Sequence, residues 1–569
     1  MKSNKYILVV ASLLIGLTAW GNDQLTASEW APVVSKTIDW DEQGGQSLLF
    51  DIDGDGLLDM YYICNNGPRA YRNRGNGTFD QHPNIGYPMY DAYRFSNNYA
   101  FDYNCDGHVD IITVGRNHNG NLSFLAKLYV NDYLDQNTAN DASGYGWFHE
   151  ATLESLGIPN AGHWERNPDR TEGDPDCPLI LRPVTIGDYN HDGYPDLLVV
   201  CHETIDGQKK RITRLYKNNA GNGFTEELIF DQWDGTIRQI EKNDIMFVDL
   251  NNDGWLDILI NGYSDRGGYI YLNDQGKAFY EVANFVTPYN ISRDTGFGVG
   301  DFNGDGWYDF VTMGYGDHIK DDNGGGWGAR LFMNKKGEVA GNSDVIFADS
   351  YNIAGDLGVG DWHEDSRPII RDFDGDGKLD IMKEYSQRIT YYGTSDHTFT
   401  EGSHLYSRGQ GTNRCLVSFG DVTGNGLTDV FVTDYQWCQA TQGWKFVDEV
   451  YKNIKGGADK TMPALPAPSG VYYSIESDGI VVHWSDANNL RVGYNVIVET
   501  KDGKVFANLP VNTTNSKLMV GEGREVAVRP GVGAIGYKLF GISPSNIKRV
   551  GVQTLSVYNE TVSPIVWAN

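Results

Sequence analysis

Asp51, Asp53, Asp55 and Asp59 place four carboxylates at positions 1, 3, 5 and 9 of a D-x-D-x-D-G-x-x-D stretch. Carboxylates this close repel one another unless a cation neutralises them, and the spacing is that of a calcium loop. Calcium takes about six to eight oxygens, so a short loop must turn sharply and aim alternate side chains inward. Gly56 at position 6 permits the turn, and position 7 offers its carbonyl. The twelfth-position glutamate of an EF-hand is absent: Tyr62 stands there, inside a β-branched and aromatic run, so the loop is expected to join two strands.

One such loop is equally well a solvated acidic turn, but the chain repeats it. The pattern recurs as Asp102, Asn104, Asp106, Asp110; as Asp188, Asn190, Asp192, Asp196; and as Asp249, Asn251, Asp253, Asp257. It returns as Asp301, Asn303, Asp305, Asp309 and as Asp372, Asp374, Asp376, Asp380. A weaker seventh copy has Asp421, Thr423, Asn425 and Asp429. Position 1 is Asp, position 6 Gly and position 9 Asp in all seven, which argues against the solvated turn. These aspartates and asparagines are the expected calcium ligands, with the seventh loop the weakest site.

The elements that hold the loops repeat too. Each loop runs into an apolar stretch such as "IITV" or "LLVV", and a second signal follows: "AYRN" ending at Asn73, "LYVN" at Asn131, "LYKN" at Asn218, "IYLN" at Asn273, "LFMN" at Asn334 and "VYKN" at Asn453. The sixth repeat has "TYYG", ending at Gly393. Each repeat reads as strand, loop, strand, hairpin, strand. Loop-to-loop intervals of 51, 86, 61, 52, 71 and 49 residues suit propeller blades of four strands with variable insertions. On these residues the repeats resemble the FG-GAP family, also called VCBS repeats, known from the integrin α-subunit propeller and from many secreted bacterial proteins. The resemblance implies an all-β fold, a seven-bladed β-propeller followed by a small β-sandwich, with calcium as cofactor. The last repeat lacks an outer strand, whereas "EWAPVVSKTIDW" before the first loop lacks a partner, so the N-terminal strand is expected to complete the seventh blade.

The chain has a net charge of −30, and 22 of its 76 acidic residues lie in the seven loops, so much of the acidity is site chemistry. The sign disfavours a nucleic-acid partner. Residues 1–21, with Lys2, Lys5 and an apolar core from Tyr6 to Leu17, read as a signal peptide. No later stretch could span a bilayer, so an exported protein is expected: extracellular, on the cell surface or periplasmic. Six cysteines allow fifteen complete pairings, of which Cys177 to Cys201 and Cys415 to Cys438 are nearest in sequence, and Cys105 lies within the second loop. The propeller is expected over residues 22–455 and a linker over 456–470. Residues 471–569, with Trp484 and Tyr537 in strands, resemble a fibronectin type III sandwich.

Propellers host both binding and catalysis, so the fold alone does not decide function. The regular repeats are accounted for by metal sites, and no G-x-S-x-G pattern stands out, which favours a binding module for a glycan or an extracellular protein. The alternative is a polysaccharide-degrading enzyme, a lyase or glycosidase, with its site in the irregular inserts: His163, Glu165 and Arg166, or Asp361, His363 and Glu364. Arg94, Arg182, Arg238, Arg293, Arg367 and Arg414 precede a loop by 5 to 11 residues in six repeats. Together with Tyr93, Trp233, Tyr289, Trp362 and Tyr406 they could line one face and bind an acidic or sulfated glycan; equally, they could pair with loop carboxylates.

Overall fold

A computed structural model describes residues 30–36, 44–52, 55–64, 67–81, 93–117, 124–131, 148–158, 180–205, 208–227, 241–263, 268–281, 296–316, 326–336, 347–353, 368–383, 389–395, 397–404, 416–438, 443–455, 460–485, 492–507 and 536–569. Among the described residues the regular secondary structure is almost wholly β-strand, folded into small antiparallel sheets. Each of the first six repeats forms one four-stranded sheet with its strands in chain order. In the fourth repeat these are Glu241–Val248, Asp257–Tyr263, Gly268–Asn273 and Phe279–Glu281.

The acidic loop is the hairpin connection between the first and second strands. Its ninth-position aspartate is the first residue of the second strand in every repeat, and it pairs with the last residue of the first strand, as in Phe50 with Asp59 and Val248 with Asp257. Ile258, Leu259 and Ile260 are all buried, so this strand is covered on both faces and carries a continuous apolar run rather than an alternating one.

The cover comes from neighbouring repeats. Leu198 and Leu215 of the third repeat pack with Phe247 and Ile258 of the fourth, and Val248 and Leu259 of the fourth with Phe310 and Phe332 of the fifth. A cluster of this kind joins each repeat to the next, and one more joins the seventh to the first through Val422, Phe431 and Val450 against Leu49, Met60 and Tyr71. Burying one such side chain is worth about 1.5–3 kcal/mol, so each seam carries several of these increments.

The seventh sheet has three strands of its own, Leu416–Gly420, Asp429–Cys438 and Gly443–Asn453. Its fourth is Trp30–Lys36, antiparallel to Gly443–Asn453 with Trp30 opposite Asn453. Pro32 is tolerated because this strand is at the edge and bulges between Pro32 and Val34. Trp30 is buried against Phe373 and Tyr451. The N-terminal strand thus completes the last sheet, as its unpaired sequence implied.

The C-terminal residues form two further sheets. One orders Ser469–Ile475, Gly479–Ser485 and Tyr537–Phe540; the other orders Val505–Ala507, Val492–Thr500, Ile547–Ser556 and Val566–Trp567. Ile480, Val482, Trp484, Tyr494 and Val496 form their shared core. Within the segment expected to be a linker, Met462 donates its amide to Asn425 O of the seventh loop at 2.7 Å, and the first strand of the C-terminal unit begins at Ser469.

Candidate metal centres

The loops share one geometry. Position-6 glycines all have positive φ, from 82° at Gly426 to 92° at Gly306. Position 4 is left-handed as well at Cys105, His191, Asn252, Gly304, Gly375 and Gly424. Two left-handed residues in six turn the chain tightly enough to bring positions 1, 3 and 5 to one side.

Position 1 ties the turn together. In each loop one carboxylate oxygen accepts the position-5 amide and the other the position-6 amide; for Asp188 the distances are 3.1 and 2.8 Å. The same pair of bonds is made by Asp51, Asp102, Asp249, Asp301, Asp372 and Asp421. Position 5 accepts the position-7 amide throughout, as in Asp106 Oδ1 with His108 N at 2.9 Å. Its second oxygen faces a basic side chain in several repeats: Arg72 with Asp55 at 2.9 Å, Lys217 with Asp192 at 3.0 Å and Lys378 with Asp376 at 3.0 Å.

The ninth-position aspartates also accept two backbone amides each, one of them from outside the loop. Asp257 is fully buried, its Oδ2 accepts the Leu250 amide at 2.9 Å, and its Oδ1 accepts the Asn273 amide at 2.9 Å. Each repeat has this double clamp, which fastens the loop to the end of the third strand. In the seventh loop Thr423 spends its hydroxyl on Asp429 at 2.8 Å, turning position 3 toward the clamp.

The asparagine closing the third strand is the residue whose role the sequence did not disclose. Asn273 Nδ2 donates to Leu256 O of its own loop and to Tyr189 O of the preceding loop, both at 2.9 Å, while its Oδ1 accepts Gly276 N at 2.7 Å. Asn218 reaches Tyr103 O, Asn334 reaches Leu250 O, and Asn453 reaches Phe373 O, in each case position 2 of the preceding loop. Asn73 reaches Val422 O of the seventh loop at 2.9 Å. Its recurrence at the end of "xYxN" was the signal.

The donor set fits a hard divalent cation. Carboxylate oxygens of Asp372, Asp374 and Asp376 lie within 4.8 Å of one another, and an oxygen that accepts one N–H keeps a lone pair. Lys455 pairs with Asp374, bringing one ammonium to this cluster. Burial, then the neighbouring Asp106, pushes Asp102 up to about 8; burial raises Asp372 to about 6 and Asp429 to about 7. Burial also holds Asp110, Asp188, Asp196, Asp257, Asp309 and Asp380 well above the usual carboxylate range. The charged form of these groups is costly without a neighbouring positive charge.

Several expected site residues fall outside this geometry. Asp53 lies outside the described residues, as do Arg238, Arg293, Arg367, Arg414, Trp233, Tyr289, Trp362, Tyr406 and the alternative catalytic residues His163, Glu165, Arg166, Asp361, His363 and Glu364. Arg94 and Arg182 fall in the first strands Tyr93–Phe101 and Ile180–Gly187. Cys177, Cys415 and residues 1–21 are also outside the described residues. Cys105 is a buried free thiol, pushed up by burial and directed at Gly193 O at 3.3 Å. No helix among the described residues is long and apolar enough to cross a membrane.

Four stretches of the chain, residues 51–113, 188–260, 249–312 and 372–432, match the FG-GAP-like repeat family model. Human integrin alpha-6 is 38% identical over 84 residues, and the match spans 12% of this chain and 7% of that protein's length. A lectin from Agrocybe aegerita, described as recognising non-reducing terminal N-acetylglucosamine, is 19% identical with a TM-score of 0.40, over 62% of this chain and 78% of that one. The Aleuria aurantia lectin is 11% identical with a TM-score of 0.31, over 77% and 99%. A Bacillus licheniformis rhamnogalacturonan lyase is 11% identical with a TM-score of 0.33, over 92% and 84%. The loop geometry and the four family matches together mean that this chain carries FG-GAP-like repeats.

Proposed function

We propose that the seven repeats close into a seven-bladed β-propeller whose loops bind calcium, and that the protein is an exported binding module for a glycan or an extracellular protein. The observation that carries this reading is the sevenfold loop, in which position 1 and position 9 each anchor two backbone amides, together with the sixth loop's Asp372, Asp374 and Asp376, whose carboxylate oxygens stand close enough to share a cation. Carboxylates so employed organise the scaffold rather than serve as general acids or bases. Closure is supported by the apolar cluster between the seventh and first repeats and by the Asn73 bond to Val422 O.

Asp51, Asp55, Asp102, Asn104, Asp106, Asp188, Asn190, Asp192 and their counterparts would hold the cations, which supply positive charge to neutralise the buried carboxylates. The C-terminal unit is read as fibronectin type III-like, supported by its three-stranded sheet facing a four-stranded one around Trp484 and Tyr494. A glycan array probed with the full chain, in calcium and in excess chelator, tests the function. Calcium-dependent retention of a glycan class supports it, and a chain that takes up no calcium and retains no glycan or extracellular protein overturns it.

A further inference from the structure

The C-terminal unit does not merely follow the repeats; it sits on their loops. Val505 donates its amide to Cys105 O at 2.8 Å and Phe540 donates to His191 O at 2.7 Å, both acceptors being left-handed position-4 residues. Lys504 Nζ reaches Asn104 O at 2.6 Å. The His191 ring lies flat on Trp255 of the fourth loop, with centroids 3.8 Å apart, and against Tyr537 of the C-terminal unit at 4.4 Å. Gly193 is so close to the Phe506 ring that a Cβ there would stand 2.5 Å from it.

The segment from Leu555 to Thr561 makes the deepest contacts. Tyr558 donates its hydroxyl to Asp301 O at 2.8 Å and accepts the Asp372 amide on its carbonyl at 2.7 Å. Asp301 and Asp372 are the first residues of adjacent loops, the fifth and sixth. Glu560 donates its amide to Gly426 O at 3.3 Å, accepts the Thr428 hydroxyl at 3.2 Å and stands 3.7 Å from the Arg371 guanidinium, both ionic groups buried. Leu555, meanwhile, packs with Phe101 and Ile186 of the second and third repeats. Three residues reach no more than about 10 Å, so within that short span the chain passes from the second and third repeats to the fifth and sixth.

One seam shows what this segment replaces. In the third strand of the sixth repeat, Ile389–Ser395, Gly393 takes the place of the asparagine; it gives Asp380 its amide at 2.8 Å but has no side chain to reach back to the fifth loop. Tyr558 spans that same seam, from Asp301 O to Asp372 N.

We propose that the C-terminal unit is a latch on the loop face, closing the seam between the fifth and sixth repeats, and that its docking is coupled to cation loading of the loops. This rests on the calcium reading above. The seats of the latch are backbone groups at positions 1, 3, 4 and 6 of the loops, and their placement depends on the turn that the cation holds. Relaxation of repelling carboxylates moves the seats; conversely, a seated latch holds the loops in their cation-binding shape. Coupling of this kind is reciprocal by thermodynamic necessity.

The test uses the full chain carrying paired spin labels, one on an exposed strand of the first repeat and one at the exposed Ile475, with calcium uptake followed by calorimetry. Expected is a narrow inter-label distance in calcium that broadens in excess chelator. Tyr558→Ala combined with Glu560→Ala touches no expected ligand and should weaken calcium binding by about fivefold or more. Tyr558→Phe, which loses only the bond to Asp301 O, should give a smaller change in the same direction and keeps the test valid if the double variant fails to fold. Normal calcium uptake with an inter-label distance indifferent to chelator would overturn the latch alone. No calcium uptake by the unsubstituted protein would overturn the calcium reading and the latch with it.

Discussion

Replacing Asp257 by alanine separates what the ninth-position carboxylate does for the fold from what the loop does for a cation. The side chain is fully buried and holds two buried amides, Leu250 N and Asn273 N, each at 2.9 Å. Alanine leaves both donors without an acceptor, at roughly 1–3 kcal/mol each. Against this, the native carboxylate is itself strained, since burial first and Asp249 next hold its pKa well above the usual range. Relief of that strain offsets part of the loss, so the net cost in excess chelator is about 2–4 kcal/mol. Asp253→Ala is the control. Asp253 is exposed and accepts Trp255 N at 2.9 Å and Asn251 Nδ2 at 3.0 Å, donors that water can satisfy instead. In excess chelator this variant should lie within about 0.5 kcal/mol of the unsubstituted protein. In calcium it should lose part of the metal-linked stabilisation, which for a site at a hundred times its Kd amounts to about 2.7 kcal/mol. Thermal melts of both variants in chelator and in calcium read the two effects. An Asp257→Ala protein that melts normally in chelator would refute the clamp, and an Asp253→Ala protein with a full calcium response would refute ligation by that loop.

Chelation of the unsubstituted protein should lower its melting temperature at matched ionic strength, and the seventh loop, with Thr423 turned onto Asp429, should fill last in a calcium titration; an unchanged melt would count against calcium as a structural element. Asn334→Ala removes the amide that ties Leu250 O of the fourth loop, at 2.9 Å, to Tyr308 O of the fifth, at 3.0 Å, and should cost about 2–4 kcal/mol, read as faster hydrogen exchange on both sides of that seam. Exchange raised only within the fifth repeat would show that the bond to Leu250 O carries no weight. Deleting residues 22–40 strips Trp30–Lys36 from Gly443–Asn453 and should expose an edge that aggregates, so a monomeric deletion with an unchanged melt would contradict the role of that strand.

The loops were legible in the sequence because their chemistry is local. Positions 1, 5, 6 and 9 must each supply one kind of atom within nine residues, and seven copies made the demand visible. The stray N-terminal strand was legible for a related reason: one apolar segment lacked a partner and one sheet lacked a strand. What stayed hidden depends on atoms far apart in the chain. Asn273 and Tyr189 are 84 residues apart, and nothing at either position announces that an amide of one repeat caps a carbonyl of another. Left-handed position 4 was hidden as well, because Cys105, His191 and Asn252 occupy it as readily as glycine does.

The seating of the C-terminal unit was the least legible, and the reason is symmetry. A contact made once by a repeat can be made seven times and so leaves a periodic trace; a single unit that touches the second to seventh loops uses different groups on most of them. Val505 uses a carbonyl of the second loop, Tyr558 a carbonyl of the fifth and an amide of the sixth, Glu560 a carbonyl and a hydroxyl of the seventh. Only the Val505 contact has a counterpart among the described residues, in the Phe540 amide on His191 O of the third loop. Yet the repeats did carry one clue, in Gly393: where six repeats have an asparagine, one has glycine. A Cβ at that position would stand 2.4 Å from Leu379 O, so this close backbone approach excludes asparagine and removes the side chain that would tie the sixth repeat to the fifth. The break in the pattern falls at the seam where Tyr558 enters, and in a repeat protein such a break is where a partner from outside the repeat is to be sought.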